Sequence, residues 1–225
     1  MLKPENFISD SAEIIQWIDH YLNHISDFPV KSSVAPGDIY KEIPASPPQN
    51  SESVKQIMKD LNELIMPGIT HWQHPNFHAY FPANASVESV LAEFITSAIG
   101  AQCMIWETSP AAAELEQRMM EWLRDAMGIP SSYEGVIQDS ASSASLVALL
   151  TAREVVSGFT SNEEGVPNNL RIYCSTETHS SIEKAGGISG IGKKNLLKIP
   201  VDQQLRMIPE KLEEQILADL DKGYK

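Results

Sequence analysis

The chain has 225 residues, 42% of them hydrophobic and 21% charged, a globular balance that excludes wholesale disorder and suits one sizeable domain with an appended arm. Asp and Glu number 30 against 17 Lys and Arg, a net charge of -13, so phosphate backbones and anionic lipid are repelled at long range and neither nucleic acid nor a membrane is an expected partner. Cys103 and Cys174 lie far apart without a CxxC spacing, which gives no support to a disulfide framework or a cysteine zinc site; with no signal sequence after Met1 and no apolar run long enough to span a bilayer, the expected location is the cytoplasm.

Ile14, Ile18, Tyr21, Leu22 and Ile25 recur at helical spacing and predict a helix over 9–28 that begins near Ser9 or Asp10. Residues 29–50 hold Pro29, Pro36, Gly37, Pro44, Pro47 and Pro48. Proline removes amide donors and disfavours helix before it, so this stretch reads as an extended connector. Val54, Ile57, Met58, Leu61, Leu64 and Ile65 predict a second amphipathic helix over 51–65, stopped by Pro67-Gly68. A helix and a connector cannot bury a core alone, so this part reads as an arm laid on another surface. Residues 69–85 form an irregular loop rich in aromatics and histidine, of the kind that often carries function.

A helix over 87–99 and a loop with Met and Trp come next. The following helix has clear punctuation: Ser109 as cap, Pro110 in the first turn, and Gly128 closing it before Pro130. Leu115, Met119, Trp122, Leu123 and Met127 line its apolar face and read as core. Gly135-Val136-Ile137-Gln138 leads into the small-residue run Asp139 to Ser145, then a helix carrying Leu146, Leu149 and Leu150. A strand from Leu170 to Cys174, a helix over about 180–187, a strand from Leu196 to Val201 and a helix opened by Pro209 follow. This alternation predicts an α/β domain with a mainly parallel sheet. The expected division is 1–85 for the arm, connector and loop, and 86–225 for the α/β part.

Three constellations could carry chemistry. Small residues at a helix amino terminus, here Ser140, Ala141 and Ser142, let backbone N–H groups approach an anion; serines also cap helices where no ligand binds. His179 follows a strand and opens a helix, at the strand end where α/β proteins place ligands; it can equally be a cap or a packed side chain. His71, His74 and His78 invite a zinc reading, but the spacing is interrupted by Pro75 and no nearby carboxylate completes a ligand set. A flat wall made by Trp72, Phe77, Tyr80 and Phe81 suits this loop better. Lys193, Lys194 and Lys198 could hold a small anion or simply form a solvated face.

Taken in order, several segments resemble the group II pyridoxal-phosphate decarboxylases, most closely the aromatic-L-amino-acid branch. They are Met66-Pro67-Gly68-Ile69-Thr70-His71-Trp72, Ala79-Tyr80-Phe81-Pro82, Ser109-Pro110 with Glu114-Leu115-Glu116, Gly135 to Gln138 with Ser140-Ala141-Ser142, and His179-Ser180-Ser181-Ile182-Glu183-Lys184-Ala185-Gly186. The resemblance implies a fold-type I homodimer with an amino-terminal helical arm packed on the partner, a large cofactor domain and a small carboxyl-terminal domain. It implies pyridoxal 5'-phosphate as cofactor, with its phosphate on Ser140, Ala141 and Ser142 and His179 stacked on its ring. Trp72, Tyr80, Phe81, Pro82 and Ala83 would line the substrate pocket, joined by Gln102 and Met104 from a loop reaching a neighbouring site.

The expected reaction is decarboxylation of an aromatic L-amino acid to its amine and CO2. Animal aromatic enzymes carry threonine where Ala83 stands, bulkier or more apolar residues at Gln102 and Met104, and glycine at Asp139. The family's Schiff-base lysine lies in an Asn-Pro-His-Lys-like segment, preceded by a pyridine-binding aspartate, and neither motif occurs in this sequence. A carboxyl-terminal part of the same enzyme is therefore the expected partner. Two alternatives stand beside this reading: an inactive fragment serving as an assembly module, and a same-fold enzyme with another amino-acid substrate or an aldehyde product.

Overall fold

The computed structural model describes residues 6–81 and 85–225, which fall into two compact units, Met1–Gly100 and Ala101–Lys225. In the first, helix α1 (Phe7–Asn23) starts earlier than the apolar period suggests. Asn6 holds the cap position, and the Ser9 hydroxyl donates back to its carbonyl at 2.9 Å. The helix ends at Asn23, where His24 leaves helical geometry, and one 3-10 turn, Ile25–Asp27, follows. The connector is not wholly extended. A one-turn helix α2 (Asp38–Glu42) sits in the proline-free window between Pro36 and Pro44, with the Asp38 carboxylate accepting the Ala35 N–H at 2.9 Å.

Helix α3 (Val54–Asp60) is capped by the Ser53 hydroxyl and then widens into a π turn, Leu61–Ile65. The widening has a side-chain cause: the Asn62 amide donates to the Met58 carbonyl at 2.8 Å, entering the backbone ladder. Its Oδ1 accepts the Trp17 indole N–H at 2.8 Å and so ties α3 to α1. Helix α4 (Val87–Ile99) occupies its expected span, held by a reciprocal capping box between Ser86 and Ser89 and ended by Gly100 at φ +59°.

In the second unit, helix α5 (Pro110–Ala126) begins where expected, but Ser109 makes no side-chain cap. The 3-10 turn Trp106–Thr108 delivers the chain instead, the Ser109 N–H donating to the Trp106 carbonyl, and Pro110 has no N–H to satisfy. The apolar face of α5 is not core in this chain: Leu115 is 61% and Trp122 60% exposed, with Met119, Leu123 and Met127 open as well. Amphipathic spacing announces that a face is to be covered, not which part of the protein covers it.

Helix α6 (Ala141–Ser157), the short α7 (Ser161–Glu164), strand β1 (Ile172–Ser175), helix α8 (Ser180–Ile188), strand β2 (Leu196–Ile199) and helix α9 (Pro209–Leu220) complete the unit. β1 and β2 pair in parallel, with Ile172 opposite Leu196 and Ser175 opposite Ile199. Val201 does not extend β2; it forms an isolated antiparallel bridge with Met207. Gly135–Gln138 forms no strand. The core centres on Leu170, Ile172 and Ile191, against which Leu149, Val166, Ile182 and Leu196 pack. Gly186 lets α8 lie close on the sheet, since a Cβ there would approach Ile172 Cδ1 to 3.2 Å.

A polar cluster closes the far side. The Tyr173 hydroxyl donates to Asp219 at 3.0 Å, Gln215 donates to the same oxygen, and the Arg171 guanidinium lies over the Tyr224 ring. Burial first, then the Asp219 carboxylate, pushes the Tyr173 phenol up to about 12. This is an α/β arrangement, helix-rich with a small parallel sheet. Among the described residues no helix is long and apolar enough to cross a membrane.

Candidate functional site

The serine run lies at the amino terminus of α6. Ser140 takes extended geometry, its hydroxyl accepts the Ser143 N–H at 3.2 Å, and its carbonyl accepts the Ala144 N–H at 2.9 Å. Two first-turn donors remain. The N–H groups of Ala141 and Ser142, and the Ser142 hydroxyl, make no hydrogen bond among the described residues, and these residues are exposed. Ser140 is thus spent on capping, whereas Ala141 and Ser142 offer donors toward open space. Such a terminus favours an anion through both its N–H groups and its dipole.

His179 follows the carboxyl end of β1 in the same unit and is the N-cap of α8, a helix that packs against α6. Its Nδ1 accepts the Ser181 N–H at 3.2 Å and lies 3.0 Å from the Ser181 hydroxyl. The structure therefore realises the capping role for this histidine, while the exposed ring keeps a free edge.

In the first unit the aromatic loop is ordered around a buried imidazole. His71 is only 1% exposed, with the Tyr21 hydroxyl 2.8 Å from its Nδ1, the Phe28 ring beside it at 4.9 Å, and its N–H donating to the Val30 carbonyl. Its Nε2 is buried without a hydrogen-bond partner among the described residues. His74 is also buried and turns the loop, its Nδ1 accepting the Asn76 N–H at 3.0 Å. These two histidines shape the loop, and among the described residues no group of three or more potential ligands could hold a metal.

The anchor presents the aromatic wall. Trp72 stacks on Tyr80 with ring centroids 5.5 Å apart and lies 4.9 Å from Phe77. Tyr80 adopts φ +60°, a left-handed conformation uncommon for an aromatic residue and the sort of strain that collects at functional loops. Phe81 is fully exposed. Pro82 and Ala83, also expected in the pocket, lie outside the described residues. In the second unit, Gln102 and Met104 occupy an exposed loop, where the Gln102 carbonyl accepts the Thr108 hydroxyl at 2.6 Å. Of the three lysines considered for an anion, Lys193 and Lys198 both lie within ion-pair reach of Glu183.

Sequence reasoning missed Tyr21, read as one member of an apolar stripe, and Ser181. A tyrosine at a stripe position carries a polar tip whose partner no spacing reveals.

Burial lowers the His71 imidazole below its ordinary range, and the charge of His74 adds to this. The unfolded ring then takes up a proton more readily than the folded one. The resulting stability is complete above the ordinary imidazole value and is lost as pH falls toward the lowered folded value. Melting of the full-length protein is expected to fall more between about pH 7 and about pH 5.5 than melting of its His71→Gln variant. Parallel pH profiles for the two would refute this.

The pyridoxal-dependent decarboxylase conserved domain matches residues 36–225. The chain is 38% identical to phenylacetaldehyde synthase of Arabidopsis thaliana over 218 residues, covering 93% of this chain and 44% of that protein. It is 35% identical to tyrosine decarboxylase 4 of Petroselinum crispum, covering 99% of this chain and 45% of that one. The crystal structure of Oryza sativa TDC with PLP and tryptamine superposes with a TM-score of 0.91 at 32% identity, over 99% of this chain and 48% of that chain. The chain thus spans about half the length of the relatives it matches. With several separate motifs in order, a domain match over most of its residues and the same backbone path as a solved decarboxylase, the chain belongs to the pyridoxal-dependent decarboxylase family.

Proposed function

We propose that this chain, with a carboxyl-terminal part that supplies the Schiff-base lysine and the pyridine-binding aspartate, catalyses pyridoxal-phosphate-dependent decarboxylation of an aromatic L-amino acid to the amine and CO2. The observation that carries the reading is the fit of α6 to a phosphate: the Ala141 and Ser142 N–H groups and the Ser142 hydroxyl are unpaired and exposed at a helix amino terminus. Ala141 and Ser142 would hold the phosphate, with Ser140 capping the same turn. The cofactor, when bound, supplies an electron sink for the pair left behind by the departing CO2. With the cofactor bound, His179 would lie against its ring and orient the substrate. Trp72, Tyr80 and Phe81 form a flat wall that takes an aromatic side chain and excludes water, Pro82 and Ala83 are the substrate-pocket residues next in sequence, and Gln102 and Met104 belong to a neighbouring pocket.

The arm and the α/β part serve a homodimer with exchanged amino-terminal arms in the cytoplasm. An apolar groove of about 140 Å³ between α1 and α4, lined by Ile15, Leu22, Leu91 and Phe94, supports a partner on the arm.

Because one relative is named an aldehyde synthase, the same scaffold also admits a reading in which the product is an aldehyde. Co-expressing residues 1–225 with the downstream coding region, adding pyridoxal phosphate and assaying amine, aldehyde and CO2 from DOPA, tyrosine, tryptophan and glutamate tests both. Amine from the aromatic substrates is the expected result. Turnover of glutamate alone, or of none of the four, overturns the proposal.

A further inference from the structure

We infer that Ser181 is a positioning residue which locks His179 in the tautomer carrying its proton on Nε2, so that the ring offers a hydrogen-bond donor, not an acceptor, to the substrate. A neutral imidazole has one N–H and one lone-pair nitrogen, and the partner of one nitrogen settles the state of the other. The Ser181 N–H can only donate, and it donates to Nδ1 at 3.2 Å. Nδ1 is therefore the lone-pair nitrogen, and the ring proton resides on Nε2. The Ser181 hydroxyl lies 3.0 Å from the same Nδ1 and, with that nitrogen unprotonated, can only share its single lone pair as a donor. Ser181 is 8% exposed, so water competes little for this contact.

The lock is built into the first turn of α8. Capping needs an acceptor at His179, and an imidazole can accept there only through an unprotonated Nδ1. Helix start and ring chemistry are thus one requirement. Nε2 makes no hydrogen bond among the described residues, and His179 is exposed, so the fixed donor has no protein partner at the start of α8. An amino-acid substrate brings one anionic group suited to accept it, the α-carboxylate. This inference rests on the decarboxylase reading for its substrate, and on the geometry of His179 and Ser181 alone for its tautomer.

The full-length protein, labelled at the histidine ring nitrogens, tests the lock by long-range proton–nitrogen correlation in mildly alkaline solution. The His179 signals, identified by their loss in His179→Asn, are expected to show a bare Nδ1 and a protonated Nε2. A protonated Nδ1 in the neutral ring overturns the proposal whether or not the protein decarboxylates anything. Ser181→Pro, which removes the amide donor at a first-turn position where proline is tolerated, is expected to populate the other tautomer and to lower kcat about three- to tenfold with little change in KM, whereas Ser181→Ala, which keeps that amide, is expected to retain the tautomer. Wild-type kinetics and tautomer in Ser181→Pro remove residue 181 from the role. Absence of amine formation in the wild type, with the tautomer as stated, sinks the decarboxylase reading and leaves the lock standing.

Discussion

Replacement of His179 by alanine is expected to lower amine formation by about two orders of magnitude or more, the usual scale for a positioned imidazole, while most of the bound cofactor is retained. Retention follows if the phosphate sits on the proposed donors, Ala141 and Ser142 at the start of α6. The alanine variant alone is ambiguous, because His179 also caps α8 through its bond with the Ser181 N–H, and loss of a cap costs about 1 kcal/mol. His179→Asn separates the two roles. Asparagine caps well but cannot stack a ring, so this variant is expected to keep the wild-type melting temperature and still lose turnover. Amine formation equal to wild type in His179→Asn would leave the histidine a structural cap and nothing more.

Expressed without its downstream region, the chain is expected to bind an apolar dye many-fold more strongly than the co-expressed protein and to self-associate. The reason lies on α5, whose Leu115, Met119, Trp122, Leu123 and Met127 all stand open to solvent. Each such side chain gains roughly 1.5–3 kcal/mol on full burial, and soluble monomers rarely leave contiguous patches larger than a few hundred Å² uncovered. A Leu115→Glu, Trp122→Glu double variant is expected to reduce dye binding by the isolated chain and to weaken its assembly with the downstream part. A monodisperse isolated chain with no dye signal would show that this face needs no cover.

The fold was legible in the sequence wherever a local cause acts alone. Helix α4 occupies its expected span, α6 starts at the serine run, and the β1–α8–β2 succession follows the predicted alternation. Reading failed where a second element decides the outcome. The π turn after α3 depends on Asn62 meeting both Met58 and Trp17, and no periodicity encodes that meeting. Ser109 is a good cap by type but is pre-empted by the turn before it. On the candidate site, the motifs named the aromatic wall and the stacked pair of Trp72 and Tyr80 is there. The buried Tyr21–His71 contact behind it was invisible, because fifty residues separate its members.

Buried apolar side chains also have an order of appearance. Leu170, Ile172, Cys174, Ala185, Ile191 and Ile199 all lie in the last quarter of the chain, with Met58 the exception among the described residues. Synthesis proceeds from the amino terminus, and domains fold as units once their contacts exist. Helices α1 to α5 therefore leave the ribosome before the residues of β1 and β2 have been made. For that interval the nascent chain has amphipathic helices and almost no interior, which makes it a natural client for holding chaperones. The parallel pairing of Ile172 with Leu196 then closes across the crossover that carries α8, so this part of the interior can assemble once β2 has emerged.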